Sequence, residues 1–341
     1  MKRILAKICL GLCLVLAATG CKNSKALMPN ISGKAGEVIV VIDRENWEGN
    51  LGNAVRELLG GECPYLIPRE PLFTLSNVTP SGFGELFKIH RNILIFNINP
   101  QNQKEGVNLI NDAWAHPQCI VQIDAFDKES ALNLLKENTA IIINTIEQAE
   151  RDRNIGNAIR YENAQTSLAV RDMIGGNPHF PDGYKVRKKT DNFIWVAYDS
   201  ASILQDILVY RYPANGNESD FKLETLIANR NAILKDNVPS TYEGSYMTTD
   251  ESYLKPTLEF IRFRGRQFAQ IRGWWDVHGG WMGGPFVEHA FYSRDGKEII
   301  VLDAFVHAPG HDKRQLLRQV ESIIYSFEWA GTSEETKKEG E

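Results

Sequence analysis

The sequence predicts an α+β protein: an N-terminal α/β domain followed by a domain with a curved antiparallel sheet closed by a C-terminal helix. Three observations carry this. Up to Gly175-Gly176, short apolar runs alternate with amphipathic stretches, the pattern of strands and helices laid down in turn. From Tyr184 onward strand-length runs follow one another across hairpin-sized gaps, notably Arg264-Gly265-Arg266 and Arg294-Asp295-Gly296-Lys297. Near the end, Leu316, Leu317, Val320, Ile324 and Phe327 recur at helical spacing, giving a last helix one apolar stripe to lay on a sheet face.

Taken in order, Glu37 to Ile42 is a short buried strand, and Asn46 to Leu59 a helix stopped by Gly60-Gly61. Phe73 to Val78 and Ile93 to Ile98 are strands separated by Pro80-Ser81-Gly82. Cys119 to Ile123 is another strand, after which Asp127 caps a helix with Ala131, Leu134 and Leu135 on one face. Thr139 to Met173 reads as largely helical. Residues 37–176 form the first domain. In the second, 184–330, the strands are Phe193 to Tyr198, Ile203 to Tyr212, Thr257 to Arg264, Gln267 to Val277, Phe286 to Tyr292 and Glu298 to Val306. A helix over Phe221 to Leu234 interrupts them, a Gly, Asn and Pro linker over 175–183 joins the domains, and 331–341 is a charged tail.

Apolar content of 43% and charged content of 24% are those of a globular chain. A net charge of −5 argues against general nucleic-acid binding. The first twenty residues divide as a secretory signal does: basic Lys2, Arg3 and Lys7, then an apolar Ile8 to Ala18 too short to span a bilayer, then small residues before Cys21.

Leu16-Ala17-Ala18-Thr19-Gly20-Cys21 resembles a bacterial lipobox, with Ala18 where Leu is usual. The resemblance implies cleavage before Cys21 and acyl chains on its thiol. At about 0.8 kcal/mol per buried methylene, two chains already anchor stably. Lys22, in place of a retaining Asp, implies transport to the outer membrane, and the absence of an acidic run after it favours a periplasm-facing position. Residues 21–36 read as a tether with a mean span of roughly 20 Å. With the signal removed and Cys21 acylated, Cys63 and Cys119 remain, open between a disulfide and two buried thiols.

Three stretches resemble an uncharacterised lipoprotein family of Bacteroidota that carries a domain of unknown function (4837): GEVIVVID over Gly36 to Asp43, WWDVHGGWMGGPF over Trp274 to Phe286, and DAFVHAP over Asp303 to Pro309. The likeness runs through nearly all of the mature chain and supports the lipoprotein reading without implying a reaction. A curved sheet ending in LLRQVESIIYSF (Leu316 to Phe327) is also loosely similar to the Mog1/PsbP-like architecture, which implies a binding or assembly role.

Two constellations suggest a contact surface. Trp274, Trp275 and Trp281 sit among Gly279-Gly280 and Gly283-Gly284, either as an aromatic lip or as a hairpin whose tryptophans fill the core. Arg262, Arg264 and Arg266 alternate, so one strand face would carry their guanidiniums, with Arg272 on the next strand, facing either an anionic ligand or carboxylates such as Glu259 and Asp303. The expected ligand-binding residues are thus Arg264, Arg266, Arg272, Trp274, Trp275 and Trp281. His278, His289, His307 and His311 gather without a zinc-protease spacing, and neither a GxSxG elbow nor a phosphate loop occurs, so no metal, cofactor or catalytic residue is expected. The sequence favours a non-enzymatic binding or scaffold protein of the envelope, partnered by the membrane through Cys21 and by an envelope protein or glycan. The rival is a glycan or peptide hydrolase using Asp276 and Glu288 with His278.

Overall fold

The computed structural model describes residues 28–331 apart from Asp199 and Ala201, so the leader, Cys21 and the tail from Thr332 lie outside the described residues. Its class is α+β. The first sheet has the order β2-β1-β3-β5-β4, with β1 Glu37–Val41, β2 Thr74–Val78, β3 Asn92–Ile98, β4 Gly106–Asn111 and β5 Cys119–Ala125. The first four in that order are parallel, and β4 runs antiparallel on β5. β1, β3 and β5 are the apolar runs read from the sequence, and each is buried because helices cover it.

One face of this sheet packs Val38, Val40, Leu94, Phe96 and Val121 against helices α1 Arg44–Glu48, α2 Asn50–Leu59, α4 Lys128–Glu137 and α5 Thr139–Arg160. The short helix α3 Glu85–Lys88 lies on the other side, where Phe83, Phe87 and Trp114 cover Ile39, Val41, Ile93 and Ile120. The helix expected over 46–59 is broken at the extended Gly49. The helix expected from Thr139 to Met173 is also two: α5 ends at Tyr161, and Asn163 caps a new helix, α6 Ala164–Ile174, by accepting from the Thr166 amide at 3.2 Å. Val170, Met173 and Ile174 of α6 are buried with the second sheet, not the first. Gly175 ends α6 in the left-handed conformation, φ 74°.

The second sheet is antiparallel, ordered β10-β12-β13-β14-β9-β8-β7, with β11 also on β12. Its strands are β7 Tyr184–Lys189, β8 Phe193–Tyr198, β9 Leu204–Pro213, β10 Tyr246–Asp250, β11 Thr257–Phe263, β12 Arg266–His278, β13 Gly283–Tyr292 and β14 Glu298–His307. The two-residue strands β6 Gly176–Asn177 and β15 Glu328–Trp329 pair separately. β12 serves two partners end to end, β11 along its first half and β10 along its second. Helix α7 Leu223–Asn237 covers one face through Leu226, Ile227 and Leu234. Helix α8 Arg314–Tyr325 covers the other through Leu317, Val320, Ile323 and Ile324, the stripe foreseen in the sequence.

α8 also ties the two sheets together. Its cap residue Lys313 contributes no side-chain hydrogen bond to the helix N-terminus. Glu70, from the first half of the chain, accepts instead from the amides of Lys313 (2.6 Å) and Arg314 (3.0 Å). Arg318 donates to Glu147 of α5 and to the Leu72 carbonyl, and Arg314 to the Pro71 carbonyl.

Cys63 and Cys119 stand as free thiols in the structure. Cys119 lies in the first core, whereas Cys63 packs against the second. Burial pushes each thiol up to about 11, so both are un-ionised near neutral pH.

Candidate functional site

The structure disperses the tryptophan and arginine surface expected from the sequence. Trp275 is a core residue, its Nε1 donating to the Val306 carbonyl at 3.2 Å and its ring edge-on to Phe305. Trp274, on the opposite face, is half-buried. Trp281 stands on the connection between β12 and β13 and is 92% exposed. Alternation along one strand makes the first two diverge, and the glycine-flanked connection carries the third away from both.

The arginines separate for a different reason. Arg264 and Gly265 form a two-residue turn with φ 45° and 78°, so the expected alternation stops there and Arg266 begins the returning strand. Arg264 pairs with Asp152 at 2.9 Å, and Arg272 pairs with Glu321 of α8 and reaches Gln270. Asp303, expected opposite these arginines, pairs instead with Arg230 of α7 at 2.9 Å. Glu259 lies on β11 opposite Gln270.

Asp276 and Glu288, the carboxylates of the hydrolytic alternative, project from opposite faces of the sheet. Asp276 lies opposite Gly283 and Glu288 opposite Ile271, an odd offset along β12. Glu288 is fully buried on the α7 face with Asp303 and Arg230. Its Oε2 accepts from the Tyr210 hydroxyl at 3.1 Å and lies 3.7 Å from Arg230 Nε. Burial, then the neighbouring Asp303, pushes Glu288 up to about 8. Arg230 also lies 3.8 Å over the Phe286 ring and donates to Thr249 at 2.8 Å. This is an internal cluster of two carboxyl groups and one guanidinium, closed to solvent, where burial favours the protonated form of the carboxyls. His278 is exposed and stacked on Tyr246, His289 is enclosed between Phe268 and Tyr325, and His307 bonds the Gly283 carbonyl. Among the described residues no three His, Cys, Asp or Glu side chains converge as a metal site.

The opening best suited to a ligand lies where β12 and β13 part. Their register ends at Ala269↔Ala290, yet β12 goes on pairing with β11 back to Arg266, and β13 with β14 out to Tyr292. A cleft of about 510 Å³ fills the resulting gap, a size suited to a small molecule. Rings from both faces line it: Phe221, Phe260 and Tyr292 from the α7 side, and Phe268, Phe291 and Trp329 from the α8 side. One cavity collects residues from both faces because the strands between them have separated. Phe221 stands edge-on to Tyr292 at 4.9 Å, and Tyr292 is fixed by its hydroxyl bond to Asp220 (3.0 Å). Phe291 and Trp329 meet edge-on at 5.9 Å. Phe260 is 60% exposed at the rim.

Of the expected site residues, only Arg266 lines this cleft. Its Nη2 donates to the Tyr325 carbonyl at 2.9 Å, and burial pushes its pKa down to about 10, so it remains a cation near neutral pH. Sequence reading missed the aromatic members because they come from four strands and one flanking segment, each apolar residue resembling ordinary core.

Two other clefts are less suited. One of about 370 Å³ lies beside Trp275 and Met282, with Arg187 stacked over Trp195 at 4.8 Å. A polar one of about 760 Å³ in the first half includes Arg91, Arg153 and His116. There the charges already satisfy one another, Arg91 and Arg153 with Glu150 and His116 with Asp112.

No curated protein matches the chain. A solved structure of a protein from Bacteroides thetaiotaomicron is similar at 8% identity and a TM-score of 0.20, over 47% of this chain and 46% of that one, so the chain spans about half its length. A likeness that slight carries no argument about fold or function, and these comparisons do not establish a Mog1/PsbP-like relationship. Residues 31–158 match the model described as domain of unknown function (DUF8532), and residues 163–326 that described as domain of unknown function (DUF4837). The two matches lie one after the other along the chain, the DUF8532 model on the first half and the DUF4837 model on the second.

Proposed function

We propose that this is a non-enzymatic binding protein of the cell envelope, anchored through lipid on Cys21 and facing the periplasm from the outer membrane, that takes a largely apolar ligand into the cleft between β12 and β13. The observation that carries the binding reading is the parted strand pair lined by rings of both sheet faces. Concave, mainly apolar openings with a few polar groups are the usual setting for small-molecule binding. A glycan is disfavoured because its hydroxyls need many facing donors and acceptors, and this lining offers chiefly Arg266 and Gln267. The anchor rests on the lipobox-like run ending at Cys21 and the basic and apolar segments before it.

The neutral fluorescent probe N-phenylnaphthylamine tests the cleft. Binding is expected to weaken about three- to tenfold in Phe260→Ala, the loss of one aromatic contact, and to stay unchanged in Trp281→Ala. The reverse pattern overturns the assignment. The anchor is tested by Cys21→Ser, which is expected to move the protein from the membrane fraction to the soluble one; retention on the membrane contradicts it.

A further inference from the structure

The cleft contains one strong charge, the guanidinium of Arg266, and Glu328, which acts on it electrostatically, lies outside ion-pair distance. Arg266 begins β12, where its guanidinium lies 5.2 Å from the Phe327 ring centroid and 5.9 Å from that of Phe268. Among the described residues no carboxylate lies within ion-pair distance of it, and a main-chain carbonyl is its hydrogen-bond acceptor. Most other half-buried or buried arginines are ion-paired, Arg230 with Asp303, Arg272 with Glu321, Arg318 with Glu147, and Arg91 and Arg153 with Glu150, whereas the Arg314 side chain, like that of Arg266, donates to a main-chain carbonyl and no carboxylate. Aromatic faces attract a guanidinium and leave its remaining N–H groups to donate to an anion. The carbonyl of Tyr325 takes one of the two Nη2 hydrogens, leaving the other to donate in parallel with a neighbouring nitrogen of the guanidinium.

We propose that the ligand of this cleft is an amphipathic carboxylate, its apolar body packed on Phe260, Phe268, Phe291 and Trp329 and its carboxyl group held by Arg266. This ligand class presupposes that the cleft is the binding site. Carboxylate is favoured over phosphate because the lining supplies a single guanidinium, whose planar fork matches a planar monoanion. The remaining lining is apolar apart from Gln267 and the Tyr292 hydroxyl, and that hydroxyl is already committed to Asp220. One end of the ligand therefore meets charge and the rest meets rings.

The test compares the fluorescent fatty acid cis-parinarate with its methyl ester on the full-length protein near neutral pH. The two probes differ in charge and scarcely in shape. The acid is expected to bind about ten- to a hundredfold tighter than the ester, the range of a charged hydrogen bond. Arg266→Gln is expected to erase that preference by weakening the acid while leaving the ester within about twofold, and Arg266→Lys to retain part of it. Equal binding of acid and ester by the unaltered protein overturns the proposal. So does an equal loss for both probes in Arg266→Gln, which marks the residue as structural. If neither parinarate form binds while N-phenylnaphthylamine does, the ligand class is wrong and the cleft stands. If none of the three binds, the cleft reading fails and takes the ligand class with it.

Discussion

Arg230, Glu288 and Asp303 set two carboxylates against one guanidinium in a site closed to solvent. Three full charges there leave an uncompensated negative one, and the low dielectric magnifies its cost. A proton on Glu288 removes it, which is why burial and Asp303 push that carboxyl up to about 8. Asp303 takes the direct guanidinium bond, which opposes the upward push that burial gives its own carboxyl. The folded-state value lies above the unfolded one, so this contribution to stability is complete below about pH 4.5 and is lost as pH rises toward about 8. The slope reaches at most about 1.4 kcal/mol per pH unit. Glu288→Gln keeps the neutral form at all pH, so denaturant unfolding should show a flatter stability profile across that window. An unchanged profile would mean that Glu288 is ionised in the folded protein. The sequence reading places Glu288 in the strand from Phe286 to Tyr292. The cluster was illegible, because Arg230 is 73 residues from Asp303 in sequence and no local pattern reveals how a helix docks on a sheet.

At the scale of elements, α8 was legible and its cap was not. The apolar stripe from Leu316 to Phe327 predicted a helix on a sheet face, and that is where it lies. The residue that completes its N-terminus is Glu70, which belongs to the other half of the chain and reaches the amides of Lys313 and Arg314. Its carboxylate also sits favourably against the positive end of the helix dipole. Glu70→Ala should therefore destabilise the protein by about 1–2 kcal/mol, as loss of a helix cap does. A change under about 0.3 kcal/mol in chemical denaturation would show that the contact contributes little beyond what water supplies. The strands the sequence missed, β4, β7 and β10, share a cause. β4 and β7 are edge strands with mostly exposed residues, and β7 carries four cationic side chains in its six residues, so apolar alternation is absent. β10 is five residues long and borders β12 at the other edge.

For the whole molecule, the fold class and the curved second sheet could be read from periodicity, whereas the cleft proposed for binding could not. The expected surface joined residues by adjacency in sequence, and strand alternation then sent Trp274 and Trp275 to opposite faces while a tight turn at Arg264 and Gly265 broke the arginine row. The cleft arises instead from where pairing stops, since beyond Ala269 β12 parts from β13 while staying paired with β11 on its other edge. Where a strand pair parts is a property of sheet curvature and depends on every strand at once. Amide chemical-shift mapping with N-phenylnaphthylamine tests this account most directly. Perturbations should concentrate on Arg266 to Ala269, Ala290 to Tyr292 and Trp329; shifts confined to Trp281, or to the groove beside Arg187 and Trp275, would contradict it.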